Sequence, residues 1–319
     1  MSPDNLEFVV LAAGKSTRNY PHSKGIPHKS LIPFGSKKVI DFIMNQIILA
    51  GGKHITIVVA DEAAIESFKQ CFLKEPEIEN KFEAKGYTTG LELLQSLYIP
   101  NNVEIKYIIQ EKPKGTGHAV GRVYKEIKET GRNIVMIWPD DIVLCDKNSN
   151  DEYARTPIYK RAVDKYIEMG GKGNLGITRP VDNPSRWGII DEGYFKEKPK
   201  ESKSNQAAFG LFIFDKSVCK KLYESSVLMD EGKAVEGIVG GELAFAAALN
   251  QSIDEDPTTK IQTIPMQDTD TYLDCGSIEG YEKALLYTLL TESKFEKENL
   301  KFIKPIVDKL WERENKEEK

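Results

Sequence analysis

The stretch VVLAAGKSTR, Val9 to Arg18, lies close to the start of the chain and decides how the rest is interpreted. It opens with a continuous aliphatic run, which is typical of a strand buried on both faces of a parallel sheet. It contains Gly14-Lys15-Ser16, which matches the ending of a P-loop, but a P-loop needs a glycine six positions before the lysine. This chain has Val9 there. What remains is a strand whose small terminal residues let a ligand lie against the backbone. Because open α/β sheets bind ligands at the carboxyl ends of their strands, the stretch predicts a nucleotide or phosphate site of undefined type.

The composition fits a globular protein and gives no sign of nucleic-acid or membrane binding. The chain has 319 residues, of which 40% are hydrophobic, as is typical of a globular protein. Its net charge of −5 gives no support to general nucleic-acid binding. No apolar run approaches the length of a membrane span. The four cysteines lie far apart without a CxxC pair, so neither a zinc site nor a disulfide framework is indicated. We therefore expect a cytoplasmic protein that binds neither nucleic acid nor membrane.

Strands and helices alternate along the first sixty residues. Apolar residues at helical spacing predict a helix over Val39 to Leu49, and Gly51-Gly52 ends it before the buried strand HITIVVA, His54 to Ala60. This alternation implies a right-handed, parallel α/β sheet. Residues 75–100 are charged and are predicted to be a helical insertion, residues 1–290 a single catalytic domain, and residues 291–319 a helical tail. Three further local predictions are a strand that runs through NIVMIWPDD (133–141), a helix over 241–249 and a surface loop over 251–260.

Charged residues follow several of the predicted strands. The first loop carries Arg18 and then Lys29, which taken alone would be a solvated basic loop. WPDD places Asp140 and Asp141 at the end of a buried strand, where carboxylates are costly unless they are paired or bind a cation. Mg²⁺ is usually held by one or two carboxylates plus substrate phosphates. A carboxylate that caps the following turn is an equally good local interpretation.

The stretch QEKPKGTGHAV, Gln110 to Val120, resembles a dinucleotide-binding fingerprint but fails it, because the third glycine position holds Val120. A turn that starts a helix is the simpler interpretation. Even so, Gly115 would allow a ligand to approach the backbone closely. The side chain of Gln110 offers both a donor and an acceptor, as recognition of a base edge requires.

Two later segments complete the set. EKPK, Glu197 to Lys200, is locally a surface charge run, and Asp274 in YLDCGS is locally a turn residue. Taken together, the basic groups, carboxylates and glycine turns on one parallel sheet favour phosphoryl-type chemistry, in which positioning and charge neutralisation provide most of the catalysis. The sequence contains no HExxH pair and no GxSxG elbow, so covalent nucleophilic catalysis is not indicated.

These motifs, in this order, resemble the sugar-1-phosphate nucleotidyltransferases, and in particular the branch of bacterial-type glucose-1-phosphate uridylyltransferases. The resemblance runs from about Phe8 to about Leu286. The segments that carry it are AAGKSTR, KGIPHKSLIPF, the run from LELLQSLYIP to GTGHAV, WPDD, EKPK, and DCGS.

The resemblance implies a doubly wound, mostly parallel sheet of the Rossmann-like nucleotidyltransferase type with helical elaborations. It also implies Mg²⁺-dependent transfer of a nucleotidyl group from UTP to a sugar-1-phosphate, most simply glucose-1-phosphate. It assigns the nucleotide to Ala12, Ala13, Gly14, Gln110 and Gly115, the metal to Asp140 and Asp274, and the sugar to Gly188, Glu197 and Glu242. It assigns charge neutralisation at the triphosphate to Arg18 and Lys29, and the sugar phosphate to Lys198.

The sequence departs from the family pattern at four places. Ser16 replaces a glycine, one extra residue lies near His28, Trp187 stands where a tyrosine is usual, and the polar residues expected after Leu243 are missing. Because the last segment helps to contact the sugar in that family, the identity of the sugar stays open. The alternatives with the same chemistry are dTTP or CTP with another sugar or an alcohol phosphate. A catalytically silent, nucleotide-binding regulatory subunit is the alternative from a different class. The expected assembly is a homo-oligomer.

Overall fold

The computed structural model describes the backbone of residues 1–317 and the side chains of residues 1–313. The strands in this range are β1 (Leu6–Ala12), β2 (Pro33–Phe34), β3 (Lys37–Lys38), β4 (His54–Val59), β5 (Glu104–Ile109), β6 (Asn133–Ile137), β7 (Asp141–Leu144), β8 (Asn174–Pro180), β9 (Gly188–Asp191), β10 (Tyr194–Glu197), β11 (Gln206–Ile213), β12 (Ile238–Val239), β13 (Glu242–Leu243), β14 (Ile261–Pro265) and β15 (Thr271–Asp274). The helices are α1 (Val39–Leu49), α2 (Glu62–Phe72), α3 (Pro76–Ala84), α4 (Thr88–Gln95), α5 (Thr116–Ile127), α6 (Glu152–Arg155), α7 (Ile158–Glu168), α8 (Lys216–Asp230), α9 (Phe245–Glu255), α10 (Ile278–Thr291) and α11 (Glu296–Glu317).

The central sheet is doubly wound. Its strands lie in the order β10-β9-β11-β6-β1-β4-β5, with β8 paired to β11 and β14 paired to β8. The chain winds outward from β1 through β4 to β5, then returns to place β6 on the other side of β1. Only β10 and β11 run against the other strands of this sheet. The predicted doubly wound, mostly parallel α/β fold with helical elaborations is confirmed, and the winding direction reverses between β1 and β6.

Strand β1 divides the hydrophobic core into two layers, because alternate side chains of a strand point to opposite faces. Phe8 and Val10 pack with helices α1 and α2 on one face. Val9 packs with α5, α8 and α9 on the other. All three residues are fully buried, and burying each such side chain contributes roughly 1.5–3 kcal/mol before the entropy cost of ordering. This double burial explains why the sequence of β1 is continuously apolar.

The predicted insertion over residues 75–100 contains helices α3 and α4, outside the central sheet. Phe82 and Tyr87 join them through an edge-to-face contact with ring centroids 5.2 Å apart. The helix predicted over Val39 to Leu49 is confirmed as α1. None of the helices within residues 1–317 combines the length and the apolar character needed to cross a membrane.

Three local predictions are wrong. Strand β6 ends at Ile137, before the Trp138-Pro139 bond, and Asp141 instead begins β7, because the residue before a proline is restricted and proline lacks an N–H. The helix predicted over 241–249 begins only at residue 245. Gly240 and Gly241 have left-handed φ angles of 59° and 84° and turn the β12–β13 hairpin. The loop predicted over 251–260 is helical to residue 255, since buried apolar residues continue at helical spacing.

Candidate active site

A cleft of about 870 Å³ opens at the carboxyl ends of β1 and β6. This is the position at which open α/β sheets bind ligands, where the strand order reverses. The predicted site residues that line this cleft are Ala13, Gly14, Arg18, Lys29, Gln110, Gly115, Asp140, Gly188, Glu197, Lys198, Glu242 and Asp274. Ala12 does not line it, because its side chain is 1% exposed and packs in the core with Val10. The fold therefore gathers residues from almost the whole length of the chain into one cavity.

The loop after β1 is fixed to two other segments. Ser16 has a left-handed backbone with φ of 54°, and its side-chain oxygen accepts a hydrogen bond from the backbone N–H of Lys29 at 2.9 Å. The side-chain amide nitrogen of Asn19 donates a hydrogen bond to the carbonyl oxygen of Cys275 at 2.8 Å. The loop after β1, the segment that carries Lys29 and the segment after β15 are thus held together beside the cleft.

Lys29 and Asp140 form a salt bridge at the floor of the cleft, where their side chains are only 12% and 13% exposed. Arg18 lies 3.8 Å from the same carboxylate with a side chain that is 72% exposed. Burial alone would raise the pKa of the Asp140 carboxyl, but the charge and hydrogen bond of Lys29 outweigh it and hold that pKa below its usual range. Asp140 is therefore ionised at neutral pH.

Asp140 and Asp274 come together because β7 pairs with β15, and Asp274 is the register partner of Asp141. A Cβ atom added at Gly276 would lie 2.4 Å from an oxygen of Asp140 and 3.0 Å from one of Asp274. Both carboxylates thus face the same point, and only glycine leaves it open. The described side chains, those of residues 1–313, contain no cluster of three or more His, Cys, Asp or Glu suited to hold a metal. Two carboxylates fit a hard divalent cation that takes its remaining ligands from substrate phosphates and water.

Gln110 and Gly115, which are predicted to bind the nucleotide base, lie on a turn that contacts the β12–β13 hairpin. Gln110 follows β5 and is 6% exposed. Gly115 has φ of 95°, and a Cβ there would lie 2.5 Å from the carbonyl oxygen of Leu243. The N–H of Leu243 donates to the carbonyl oxygen of Lys114 at 2.7 Å. Glycine at 115 is therefore required by the close approach of the chain itself, a reason that local sequence reasoning had missed.

Two of the sugar-side predictions, Gly188 and Glu197, are register partners on a small antiparallel ladder of β9 with β10, and the third, Glu242, lies on β13. A Cβ at Gly188 would collide with the ring of Phe195 at 2.3 Å. Lys198 has a left-handed φ of 43°, its N–H donates to the carbonyl oxygen of Trp187 at 3.0 Å, and its ammonium lies 3.6 Å from Glu197. The local interpretation of EKPK as a plain charge run missed that it ends a strand at the cleft wall.

Sequence reasoning also missed a cluster behind the carboxylates. Tyr272 donates a hydrogen bond to Asp141 at 2.6 Å, and the N–H of Gly210 donates to the same carboxylate at 2.9 Å. Burial and the charge of Asp140 raise the pKa of Asp141 to about 7. The guanidinium of Arg179 stacks on Tyr272 at 4.2 Å and on Trp187 at 4.6 Å. The second aspartate of WPDD was the available signal, but its aromatic partners lie far away in the sequence.

A doubly wound sheet with basic and acidic side chains in one cleft at its switch point defines a phosphate-binding α/β protein. Comparison with known proteins agrees, since a model of the nucleotidyl transferase family matches residues 7–289. The chain belongs to the nucleotidyl transferase family.

Individual relatives carry more specific names. The UTP–glucose-1-phosphate uridylyltransferase of Bacillus subtilis is 32% identical over 69% of this chain and 74% of its own length. The enzyme of the same name from Staphylococcus haemolyticus is 29% identical over 93% of this chain and 97% of its own length. The solved structure of UDP-glucose pyrophosphorylase from Acinetobacter baumannii has a TM-score of 0.74 at 21% identity and covers 94% of this chain and 99% of that one.

Proposed function

We propose that this chain transfers the uridylyl group of UTP to glucose-1-phosphate, giving UDP-glucose and pyrophosphate. The observation that carries the proposal is the cleft, which is lined by residues that the sequence assigned to the nucleotide, to the metal and to the sugar phosphate. The names of the relatives support the same pair of substrates. A uridylyl transfer thus uses both groups of residues that line the cleft, those assigned to the nucleotide and metal and those assigned to the sugar phosphate.

The reaction needs no general base, because the attacking oxygen of a phosphate monoester is already anionic. That oxygen forms a bond to the α-phosphorus of UTP, and the bond from this phosphorus to the oxygen that bridges to the β-phosphate breaks. Pyrophosphate leaves with the electron pair. Arg18 and Lys29 neutralise the triphosphate, while Lys198 holds the phosphate of the sugar in line. Catalysis in such a site comes from positioning and from preorganised charge.

We propose Mg²⁺ as the metal, held by Asp140 and Asp274, within a family that typically uses a divalent cation. When bound, the cation would neutralise part of the charge of the substrate phosphates. Two observations support the fit of these residues to a divalent cation. The Asp140 carboxyl is ionised, and Gly276 keeps the point between the two carboxylates open.

The test is pyrophosphate release by the purified chain with Mg²⁺, across a grid of nucleoside triphosphates and sugar-1-phosphates. The proposal predicts release with UTP and glucose-1-phosphate well above every other pair. Release with dTTP or CTP and a different phosphate would keep the chemistry and replace the substrates. Nucleotide binding with no release for any pair would instead make the chain a silent regulatory subunit.

We further propose that residues 1–290 form the catalytic domain and that residues 291–319 form a tail that joins copies of the chain into a homo-oligomer. Helix α11 exposes large apolar side chains, including Leu300, Phe302 and Val307, and exposed apolar patches mark association sites. The partner of this surface would be the same surface of a second copy of the chain. Light scattering should give an oligomer for residues 1–319 and fewer copies per particle for residues 1–290, with pyrophosphate release preserved in both. The same number of copies in both proteins would refute the role of the tail.

We also propose that the chain acts in the cytoplasm. Cys71, Cys145, Cys219 and Cys275 are all free thiols, which is the state expected in a reducing compartment. A cell-fractionation experiment tests this directly, and recovery of the protein outside the cytoplasm would contradict it.

A further inference from the structure

The predicted base-recognition residue, Gln110, is tied to a buried histidine. Its side-chain nitrogen lies 3.1 Å from the carbonyl oxygen of Gly115 and 2.9 Å from Nδ1 of His118. On the other side of the imidazole ring, Nε2 lies 3.1 Å from a carboxylate oxygen of Asp230. His118 is 2% exposed. A continuous chain of hydrogen bonds therefore runs from the wall of the cleft to the end of α8.

Only one assignment of hydrogens satisfies this chain. The carbonyl oxygen of Gly115 can only accept, so the amide group of Gln110 must turn its NH₂ toward the protein. The same NH₂ donates to Nδ1 of His118, which therefore carries a lone pair, and the ring proton sits on Nε2. That proton is donated to Asp230, whose carboxylate can only accept. Both hydrogens of the Gln110 amide are used, and its oxygen is the atom left for a ligand in the cleft.

The position of Asp230 indicates that it serves the chain of hydrogen bonds and does not stabilise its own helix. It is the last residue of α8, where a negative charge interacts unfavourably with the helix dipole. Lys114 forms a salt bridge with it, and Arg122 lies 3.6 Å away. Burial would raise the pKa of Asp230, but the hydrogen bonds from Lys114 and His118 outweigh it and lower that pKa. Burial lowers the pKa of His118, so a neutral ring faces an ionised carboxylate.

We propose that His118 and Asp230 are positioning residues that hold the Gln110 amide with its oxygen toward the base, and so set the preference for uracil over cytosine. This rests on the proposed function, in which Gln110 contacts the base. Uracil presents an N–H donor at N3, which an amide oxygen accepts. Cytosine presents a bare nitrogen acceptor at N3 with an amino group beside it, and would need the opposite orientation of the amide. Neither His118 nor Asp230 has to touch the nucleotide.

The proton assignment can be tested without any ligand. The chain has four histidines, so a long-range ¹H–¹⁵N NMR spectrum of imidazole-labelled protein should resolve them, and loss of one signal set in His118→Asn assigns His118. The expected result is a neutral ring protonated at Nε2 at pH 7. A ring protonated at Nδ1 would overturn the proposal, because Gln110 could then not donate to it.

The effect on specificity is tested by comparing UTP with CTP, in kcat/KM with glucose-1-phosphate and in Kd by calorimetry. His118→Phe keeps an aromatic ring but removes both nitrogens, and should reduce the UTP preference about tenfold, the effect of one lost hydrogen bond. The loss should appear in the KM for UTP more than in kcat, because the base lies away from the reacting phosphorus. His118→Asn offers an oxygen near the position of Nδ1 and should recover most of the preference.

Asp230→Ala provides a second variant at a more exposed position if His118→Phe does not fold. It should shift the preference in the same direction, whereas Asp230→Asn keeps an acceptor and should not. An unchanged UTP-to-CTP ratio in a folded His118→Phe or Asp230→Ala enzyme would refute the positioning role while leaving the proposed function intact. A wild-type protein that binds neither nucleotide would instead remove the proposed function and this role together.

Discussion

The side-chain oxygen of Ser16 accepts a hydrogen bond from the backbone N–H of Lys29 at 2.9 Å. Ser16 holds φ at 54°, in the left-handed region that costs an ordinary L-residue about 1–2 kcal/mol and glycine almost nothing. The serine is therefore strained, but it gains a bond that glycine cannot make, and that bond fixes the loop carrying Lys29.

Replacing Ser16 should separate these two effects. Ser16→Ala keeps the strain and loses the bond, so both stability and turnover should fall, with turnover lower by about tenfold. Ser16→Gly also loses the bond but relieves the strain, so it should be more stable than Ser16→Ala by about 1 kcal/mol. Urea denaturation and steady-state kinetics on the same preparations measure both quantities. Wild-type turnover in Ser16→Ala would show that the bond does not position Lys29.

Lys29 should be essential for turnover. Its ammonium, on a side chain that is 12% exposed, is paired with Asp140 at the cleft floor, and the loss of one preorganised charge-stabilising group commonly costs on the order of 10²–10³ in rate. The turnover rate of Lys29→Ala should therefore be lower than that of wild type by about this factor. The variant should remain folded by circular dichroism. Lys24→Ala, an exposed lysine of the same loop, is the matched control and should retain full activity. Near-normal turnover in Lys29→Ala would remove the assigned role.

His28 should make the folded state sensitive to acid. Burial, followed by the charge of Lys29, lowers its pKa from 6.5 to about 4. Above pH 6.5 the ring is neutral in both the folded and the unfolded chain, and stability is complete. Between about pH 6.5 and 4 the unfolded chain takes up a proton that the folded chain resists. The free energy of unfolding should therefore decrease as the pH is lowered from about 6.5 to about 4, by about 3 kcal/mol at most.

His28→Asn tests this assignment. Nδ1 of His28 accepts a hydrogen bond from the N–H of Ser30 at 3.2 Å, and an asparagine oxygen can accept the same bond at the start of a helical turn. The variant should lose less stability than wild type between pH 7 and pH 5, measured as the urea midpoint at each pH. Parallel curves for the two proteins would place the acid sensitivity at other groups.

Removal of the metal should stop the reaction without unfolding the chain. EDTA should abolish pyrophosphate release, and added Mg²⁺ should restore it, since the proposed ligands are two carboxylates and the substrate phosphates. Asp274→Asn should raise the Mg²⁺ concentration needed for half-maximal rate, because one anionic ligand becomes neutral. The thermal midpoint without metal should change little. Full activity in EDTA would contradict the metal role of Asp140 and Asp274.

Local pattern and family resemblance together predicted much of this molecule, because its decisive elements are short-range. The aliphatic run of β1 and the helical spacing of α1 each reflect burial that is visible within one element. The hairpin at Glu242 was not predictable from local apolar periodicity, since left-handed φ angles at Gly240 and Gly241 turn the backbone while the residues around them read as helical. The contacts of Asp141 with Tyr272, and of Gly115 with Leu243, join residues more than a hundred positions apart. Such pairs arise only when the sheet assembles.

The most direct test of the central claim is the fate of labelled phosphorus. The chain would be incubated with glucose-1-phosphate and UTP labelled with ³²P at either the α or the γ position. Attack at the α-phosphorus predicts that α-label appears in UDP-glucose and γ-label in pyrophosphate, in equal amounts. Release of γ-label as orthophosphate, or its transfer to the sugar phosphate, would contradict the account.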